Sequence, residues 1–262
     1  MVQHSLEGKT ALVCGSTQGI GWATARAFAA AGARCILLAR NETVLREKID
    51  ELNAVGQTLH QYVVADFSDL GQLKAVIEKL TAAQTIHIVL NNTGGPKAGM
   101  IADAAGTDFE AAFRMHLVAN QLIAQAVLPG MKAAGYGRII NVISTSVRIP
   151  IDNLGVSNTI RAAVASWGKT MANELGAFGI TVNSILPGFT DTQRLRSLIE
   201  ANAQRRQVPA TQVEAEMIAG IPAKRLGTAD EIAAVAAFLA SPSASFVNGV
   251  SIPVDGGKTG TI

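Results

Sequence analysis

TALVCGSTQGIG, residues 10–21, joins a short apolar run to a glycine-rich turn and the start of an amphipathic segment. TALVC has the length and apolar character of a buried strand, and the segment after it repeats apolar residues three and four apart, as a helix does. Between them, Gly15, Gly19 and Gly21 let the backbone turn sharply. A helix that opens on such a turn presents unpaired N–H groups and the positive end of its dipole, which suits a pyrophosphate. The spacing is G-x-x-x-G-x-G, not the commoner G-x-G-x-x-G, so taken alone it also fits an ordinary strand-to-helix turn.

The same alternation extends to the end of the chain. Apolar runs at RCILLA (34–39), LHQYVVA (59–65), IHIVL (86–90), RIINVI (138–143), ITVNSIL (180–186) and VSIPV (250–254) are separated by helical patterns over 19–31, 42–55, 69–82, 108–134, 155–178 and 229–240. Strand and helix repeated in this way predict an α/β, doubly wound, Rossmann-like fold: a seven-stranded parallel sheet with helices on both faces. No linker or composition shift interrupts it, so residues 1–262 are expected to form a single dinucleotide-binding domain. The interval after Pro187-Gly188 is irregular, and a lid-like excursion is expected over 188–228.

Composition narrows the classes. The 262 residues are 48% hydrophobic and 16% charged, with a net charge of +2, which excludes a disordered chain and gives no bulk charge to draw a partner. No basic cluster interleaves with aromatics and no apolar stretch has the length of a membrane span. Neither nucleic acid nor membrane is expected, and the expected location is cytoplasmic. Cys14 and Cys35 lie in strand-like runs with no metal-ligand spacing, so they are read as reduced core thiols and no metal is expected.

With further motifs, the chain resembles the short-chain dehydrogenase/reductase family, close to the 3-oxoacyl carrier-protein reductases. These motifs are Asp66 after the third strand, Asn91-Asn92-Thr93-Gly94 after the fourth, Pro187-Gly188 after the sixth and Val254-Asp255-Gly256-Gly257 near the end. The resemblance implies a nicotinamide cofactor held by Gly15, Ser16, Thr17, Gly19, Ile20 and Gly21, with Asp66 at the adenine and Asn92 and Gly94 lining its path. Pro187, Gly188, Thr190 and Thr192 would meet the carboxamide. Members that prefer NAD usually carry an acidic residue after the second strand, where this chain has Arg40. An arginine there suits a 2′-phosphate, so NADP(H) is expected in preference to NAD, although Arg40 also fits a solvated loop residue.

The reaction residues depart from the family. Ser144 matches the family serine, but Ser157 stands where the tyrosine is expected and Arg161 where the lysine is expected. A serine hydroxyl is too basic and too short to replace tyrosine as the acid, and arginine keeps its proton. Arg161 is still expected to bind ribose hydroxyls. The other tyrosines, Tyr62 and Tyr136, fall on or before strands at the wrong places. His116 occupies the usual asparagine position and is the candidate proton donor, directly or through a water, with Ser144 orienting the oxygen.

Lys97, Arg148, Arg161, Arg194 and Arg196 fall on segments expected to face the pocket. They fit an acidic substrate, such as a carboxylate, a phosphate or a carrier-bound acyl group, or else solvated loop charges. The first function to consider is an oxidoreductase on a small-molecule carbonyl or hydroxyl with an altered proton relay. A cofactor-binding subunit without catalysis and a non-redox enzyme on the same scaffold are the alternatives. Helices 108–134 and 155–178 correspond to the family's association helices, which implies a homodimer or homotetramer.

Overall fold

Along each central strand, successive side chains enter opposite layers, because the sheet is covered on both faces. In the computed structural model, which describes residues 4–54 and 58–261, β1 (Thr10–Cys14) sends Leu12 and Cys14 into one layer and Ala11 and Val13 into the other. On β2 (Arg34–Ala39), Ile36 and Leu38 oppose Cys35 and Leu37 in the same way. This is the two-residue strand period acting on a sheet with no solvent face.

One layer holds α1 (Gly19–Ala30), α2 (Glu42–Asn53) and α9 (Ala229–Ala240), with Phe28, Leu45 and Leu239 fully buried. The other holds α3 (Leu70–Ala83), α5 (Ala119–Ala134) and α6 (Gly155–Leu175), anchored by Leu73, Ile123 and Met171. The remaining strands are β3 (Gln61–Val64), β4 (Ile88–Asn91), β5 (Gly137–Val142), β6 (Ile180–Pro187) and β7 (Ser251–Val254). All pair in parallel, in the order β3-β2-β1-β4-β5-β6-β7. The chain moves outward from β1 through β2 to β3, then returns to β1's other side, so the connections leaving β1 and β4 diverge. A crevice opens where they part.

Three expectations need adjustment. The pattern over 108–134 forms two helices, α4 (Gly106–Phe113) and α5, joined by one π-helical turn at Arg114–Val118. The pattern over 155–178 ends as a helix at Leu175, continues as a tighter turn and stops at left-handed Gly179. Helix α2 ends at Asn53, and residue 55 of the expected 42–55 segment lies outside the described residues.

The 188–228 excursion contains α7 (Gln193–Arg206) and α8 (Ala210–Ala219). Its two ends are stapled together: Gly227 N–H donates to the Phe189 carbonyl and Asp191 N–H to the Gly227 carbonyl, both at 2.9 Å. Leu195, Ile199, Ala203 and Val213 give it a small core of its own. Cys14 and Cys35 are free thiols buried in opposite layers, and burial pushes both up to about 12, so neither ionises near neutrality.

The glycine turn is held against β4. Asn92 Nδ2 donates to the carbonyls of Cys14 and Gly15, each at 3.3 Å. Gly15 sits at φ +60°, and a β-carbon there would lie 2.5 Å from the Asn92 carbonyl oxygen. At Gly21 a β-carbon would collide with the Gly15 carbonyl itself. The collision is with backbone, which has nowhere to move, so Gly21→Ala is expected to cost about 1–3 kcal/mol. Urea denaturation of the variant and wild type measures it, and unchanged midpoints would contradict this packing.

Candidate active site

The crevice at the carboxyl ends of β1, β4, β5 and β6 widens into a cleft of about 910 Å³ beneath α7. Ser144 follows β5 and is half-buried on its wall; its Oγ accepts a 3.0 Å hydrogen bond from Ser146 N–H, which fixes the side chain. Ser157, in the first turn of α6, and Arg161, one turn further on, line the same cleft. Arg161 Nη1 donates to the Val142 carbonyl at 2.7 Å. Desolvation, with Arg194 adding its charge, pulls the Arg161 guanidinium down to about 10, so it stays protonated at neutral pH.

Of the expected cofactor residues, Ile20, Asn92, Gly94, Pro187, Gly188, Thr190 and Thr192 line the cleft. Helix α1 opens at Gly19 with no side chain capping it, which leaves first-turn N–H donors for a ligand. A β-carbon at Gly94 would meet nothing within 4 Å and one at Gly19 would meet Thr192 at 3.4 Å. The glycine loop, the uncapped helix and the facing threonines fit a dinucleotide. Ser16 departs from the expectation in one respect, since its hydroxyl turns inward and donates to the Leu38 carbonyl at 3.4 Å, leaving only its backbone to face a ligand. Thr17 is half-buried in the same loop.

Arg40 and Asp66 lie at the ends of β2 and β3, beyond the cleft. They approach to 3.8 Å, but the Arg40 side chain is 76% exposed, so the pair is weak and the guanidinium is open to another anion. Hydrogen bonding from Ser68, backbone first, holds the Asp66 carboxyl below its ordinary range.

His116 does not reach the cleft wall. It lies in the π-helical turn, 4% exposed, facing a cavity of about 10 Å³ that it shares with Asn91, Asn120, Asn141 and Arg161. That is room for one water. Nε2 of His116, Oδ1 of Asn91 and Nδ2 of Asn141 have no partner among the described residues, while Asn91 Nδ2 donates to Asn141 Oδ1 at 2.8 Å. Burial, reinforced by the Arg161 charge and opposed by a hydrogen bond to the Gly94 backbone, lowers the imidazole to about 3. The ring is neutral at physiological pH and holds no acidic proton of the imidazolium kind. Where a direct donor was expected, the structure places a buried neutral imidazole beside Arg161, set back from the cleft.

Neither tyrosine approaches the site. Tyr62 Oη donates to Glu42 at 3.1 Å, and Tyr136 Oη donates to the Ala240 carbonyl. Among the described residues lining the cleft there is no tyrosine, histidine or cysteine. Of the five basic residues expected to face the pocket, Arg161 and Arg194 do so; Lys97, Arg148 and Arg196 are exposed elsewhere, and Arg196 pairs with Asp191. Arg205, Arg206 and Lys258 line the cleft instead, against one carboxylate, Asp152. The excursion brings the two arginines in, and its path was not readable from spacing.

The chain belongs to the short-chain dehydrogenase/reductase family: the family model described as enoyl-(acyl carrier protein) reductase matches residues 15–259. The 3-oxoacyl-(acyl-carrier-protein) reductase FabG of Vibrio cholerae is 34% identical over 255 residues, covering 97% of this chain and 98% of that protein. L-sorbose reductase from Gluconobacter frateurii, solved with NADPH and L-sorbose, superposes with a TM-score of 0.93 at 28% identity, covering 99% of this chain and 100% of that one. A gluconate 5-dehydrogenase from Burkholderia cenocepacia, solved with NADP and tartrate, gives 0.89 at 29% identity over 100% of this chain and 99% of that one.

The state of His116 has a consequence for stability. Its pKa is lowered by folding from an ordinary 6.5 to about 3, so as pH falls below 6.5 protons bind the unfolded chain first and stability is lost. His116→Asn removes this term, while His60 and His87 titrate equally in both proteins. Between pH 6.5 and about 5, wild type is expected to lose about 1.5 kcal/mol more than the variant, measured by urea unfolding. Equal losses would mean that the imidazole is solvated.

Proposed function

We propose that this protein is an NADP(H)-dependent oxidoreductase that interconverts a carbonyl and an alcohol, with water as the proton source in place of a side chain. The observation that carries this is the cleft itself, whose described lining combines two serine hydroxyls and a fixed guanidinium with no tyrosine, histidine or cysteine. NADPH or NADP in the solved sorbose reductase and gluconate dehydrogenase supports the cofactor.

The first-turn backbone of α1, from Gly19 to Gly21, would hold the pyrophosphate, Asn92 to Gly94 the nicotinamide ribose, and Pro187 to Thr192 the carboxamide. Gly15 and the Ser16 and Thr17 backbone shape that turn, Asp66 would meet the adenine, and Arg40 the 2′-phosphate. When bound, the cofactor gives or takes hydride. Ser144 and Ser157 donate hydrogen bonds to the substrate oxygen, and the Arg161 charge stabilises the negative charge that develops there. Arg161 keeps its own proton, so the oxygen is protonated by water entering from the cleft mouth. His116 acts at one remove: with Asn91 and Asn141 it forms the polar bed that Arg161 lies on. The segments 108–134 and 155–178, which correspond to the family's association helices, carry the exposed Phe113 and Phe178, which supports a homodimer or homotetramer.

A cleft without tyrosine, histidine or cysteine also supports a second reading, in which the cofactor binds and no turnover follows. Two measurements decide. Arg40→Asp is expected to weaken NADPH binding by about tenfold or more while changing NADH binding far less, read by nucleotide fluorescence; parallel changes would remove Arg40 from the phosphate. Wild-type turnover on a panel of 3-oxoacyl thioesters, keto acids and sugars that falls in Ser157→Tyr/Arg161→Lys supports the rebuilt site. Tight NADPH binding without turnover, rescued by the same two changes, supports the lapsed enzyme.

A further inference from the structure

Two unneutralised guanidinium groups converge at one point of the cleft. A β-carbon at Gly95 would lie 3.4 Å from Arg194 Nη2 and 3.6 Å from Arg161 Nη2, so the two nitrogens are no more than about 7 Å apart. None of the ion pairs among the described residues includes either arginine. Each guanidinium has five N–H donors, and each makes one hydrogen bond here: Arg161 to the Val142 carbonyl and Arg194 to the Pro96 carbonyl, both at 2.7 Å. Those two bonds fix the groups and leave most of their donors unused.

We propose that the substrate is an oxo acid or hydroxy acid whose carboxylate is seated between Arg161 and Arg194, in the space left by Gly95. This rests on the carbonyl chemistry proposed above: the reacting oxygen lies at Ser144 and Ser157, and Arg161, with donors to spare, serves both that oxygen and the carboxylate beyond it. One carboxylate, accepting charge-assisted bonds of about 2.8 Å at each oxygen, spans the separation of the two nitrogens. Gly95 matters because any side chain there would fill the gap. Like charges held this close repel each other until an anion arrives, and Arg194 is among the causes that lower the Arg161 pKa. Arginine forks match a planar carboxylate in geometry as well as charge. The wider lining agrees in sign, with Arg205 and Lys258 nearby, Arg206 paired with Glu216, and Asp152 the one carboxylate among the described lining residues.

An oxyanion in this seat has two possible sources, the substrate or a cofactor phosphate, and one titration separates them. Malonate and its neutral counterpart malonamide are titrated calorimetrically into wild type, Arg194→Gln and Arg194→Lys, each with and without saturating NADPH. The expected result is malonate binding to wild type in the presence of NADPH, weakened about tenfold or more in Arg194→Gln and less in Arg194→Lys, with malonamide binding far more weakly than malonate. Turnover should follow, with 3-oxobutanoate losing more than its methyl ester in Arg194→Gln. Malonate affinity unchanged in Arg194→Gln, or malonamide binding as tightly as malonate, would overturn the proposal. Competition between malonate and NADPH would overturn it too, by giving the seat to a cofactor phosphate. If NADPH fails to bind wild type, the oxidoreductase function falls, and the titration without NADPH still decides the carboxylate seat.

Discussion

The guanidinium of Arg161 donates to the Val142 carbonyl across 2.7 Å at the end of β5, and no carboxylate among the described residues answers its charge. This single fixed cation sets the properties of the cleft. It helps lower His116 to about 3, which keeps the imidazole neutral, and it is itself drawn down to about 10 by burial and by Arg194. A protonated histidine beside it would add a second buried positive charge with no counterion. The neutral imidazole and the two asparagines facing the small cavity are the arrangement that such a cation tolerates.

The fold supplies the place for that charge. Because the connections leaving the neighbouring strands β1 and β4 run to opposite faces of the sheet, they leave a crevice with the α1 amino terminus on one side and the α6 first turns on the other. Asn92 ties the two sides by bonding back to Cys14 and Gly15. The excursion after β6 then folds as a separate two-helix unit on a stapled neck and brings Arg194 across to the Pro96 carbonyl. Cofactor-type geometry and anion-type chemistry thus share one cleft, built from different parts of the chain.

The glycine turn, the seven strands and their parallel order were legible in the sequence because each depends on local pattern: apolar runs of strand length and helical repeats between them. Ser157 and Arg161, singled out by their register in the sequence, both line the cleft. What sequence did not show was depth. His116 sits in a π-helical turn, and its spacing in the sequence carries no sign that the ring points under the floor rather than into the cleft. Arg205 and Arg206 gave no sign of lining the cleft, since only the packing of Leu195, Ile199 and Val213 aims α7 at it. Asn91 and Asn141 left a fainter signal, as polar residues at the ends of apolar strands that turn out to be direct neighbours in the sheet.

The central claim is that this cleft holds a charge to stabilise the oxygen and no tyrosine, histidine or cysteine to protonate it. The most direct test is the pH dependence of carbonyl reduction by bound NADPH, followed in single turnover on whichever oxo substrate the enzyme accepts. A rate that changes by less than about twofold between roughly pH 6 and 9 is predicted, because no residue of the described lining is a histidine, cysteine or tyrosine. A sigmoidal profile governed by one ionisation inside that window would contradict it, and would mean that a protein acid reaches the substrate after all.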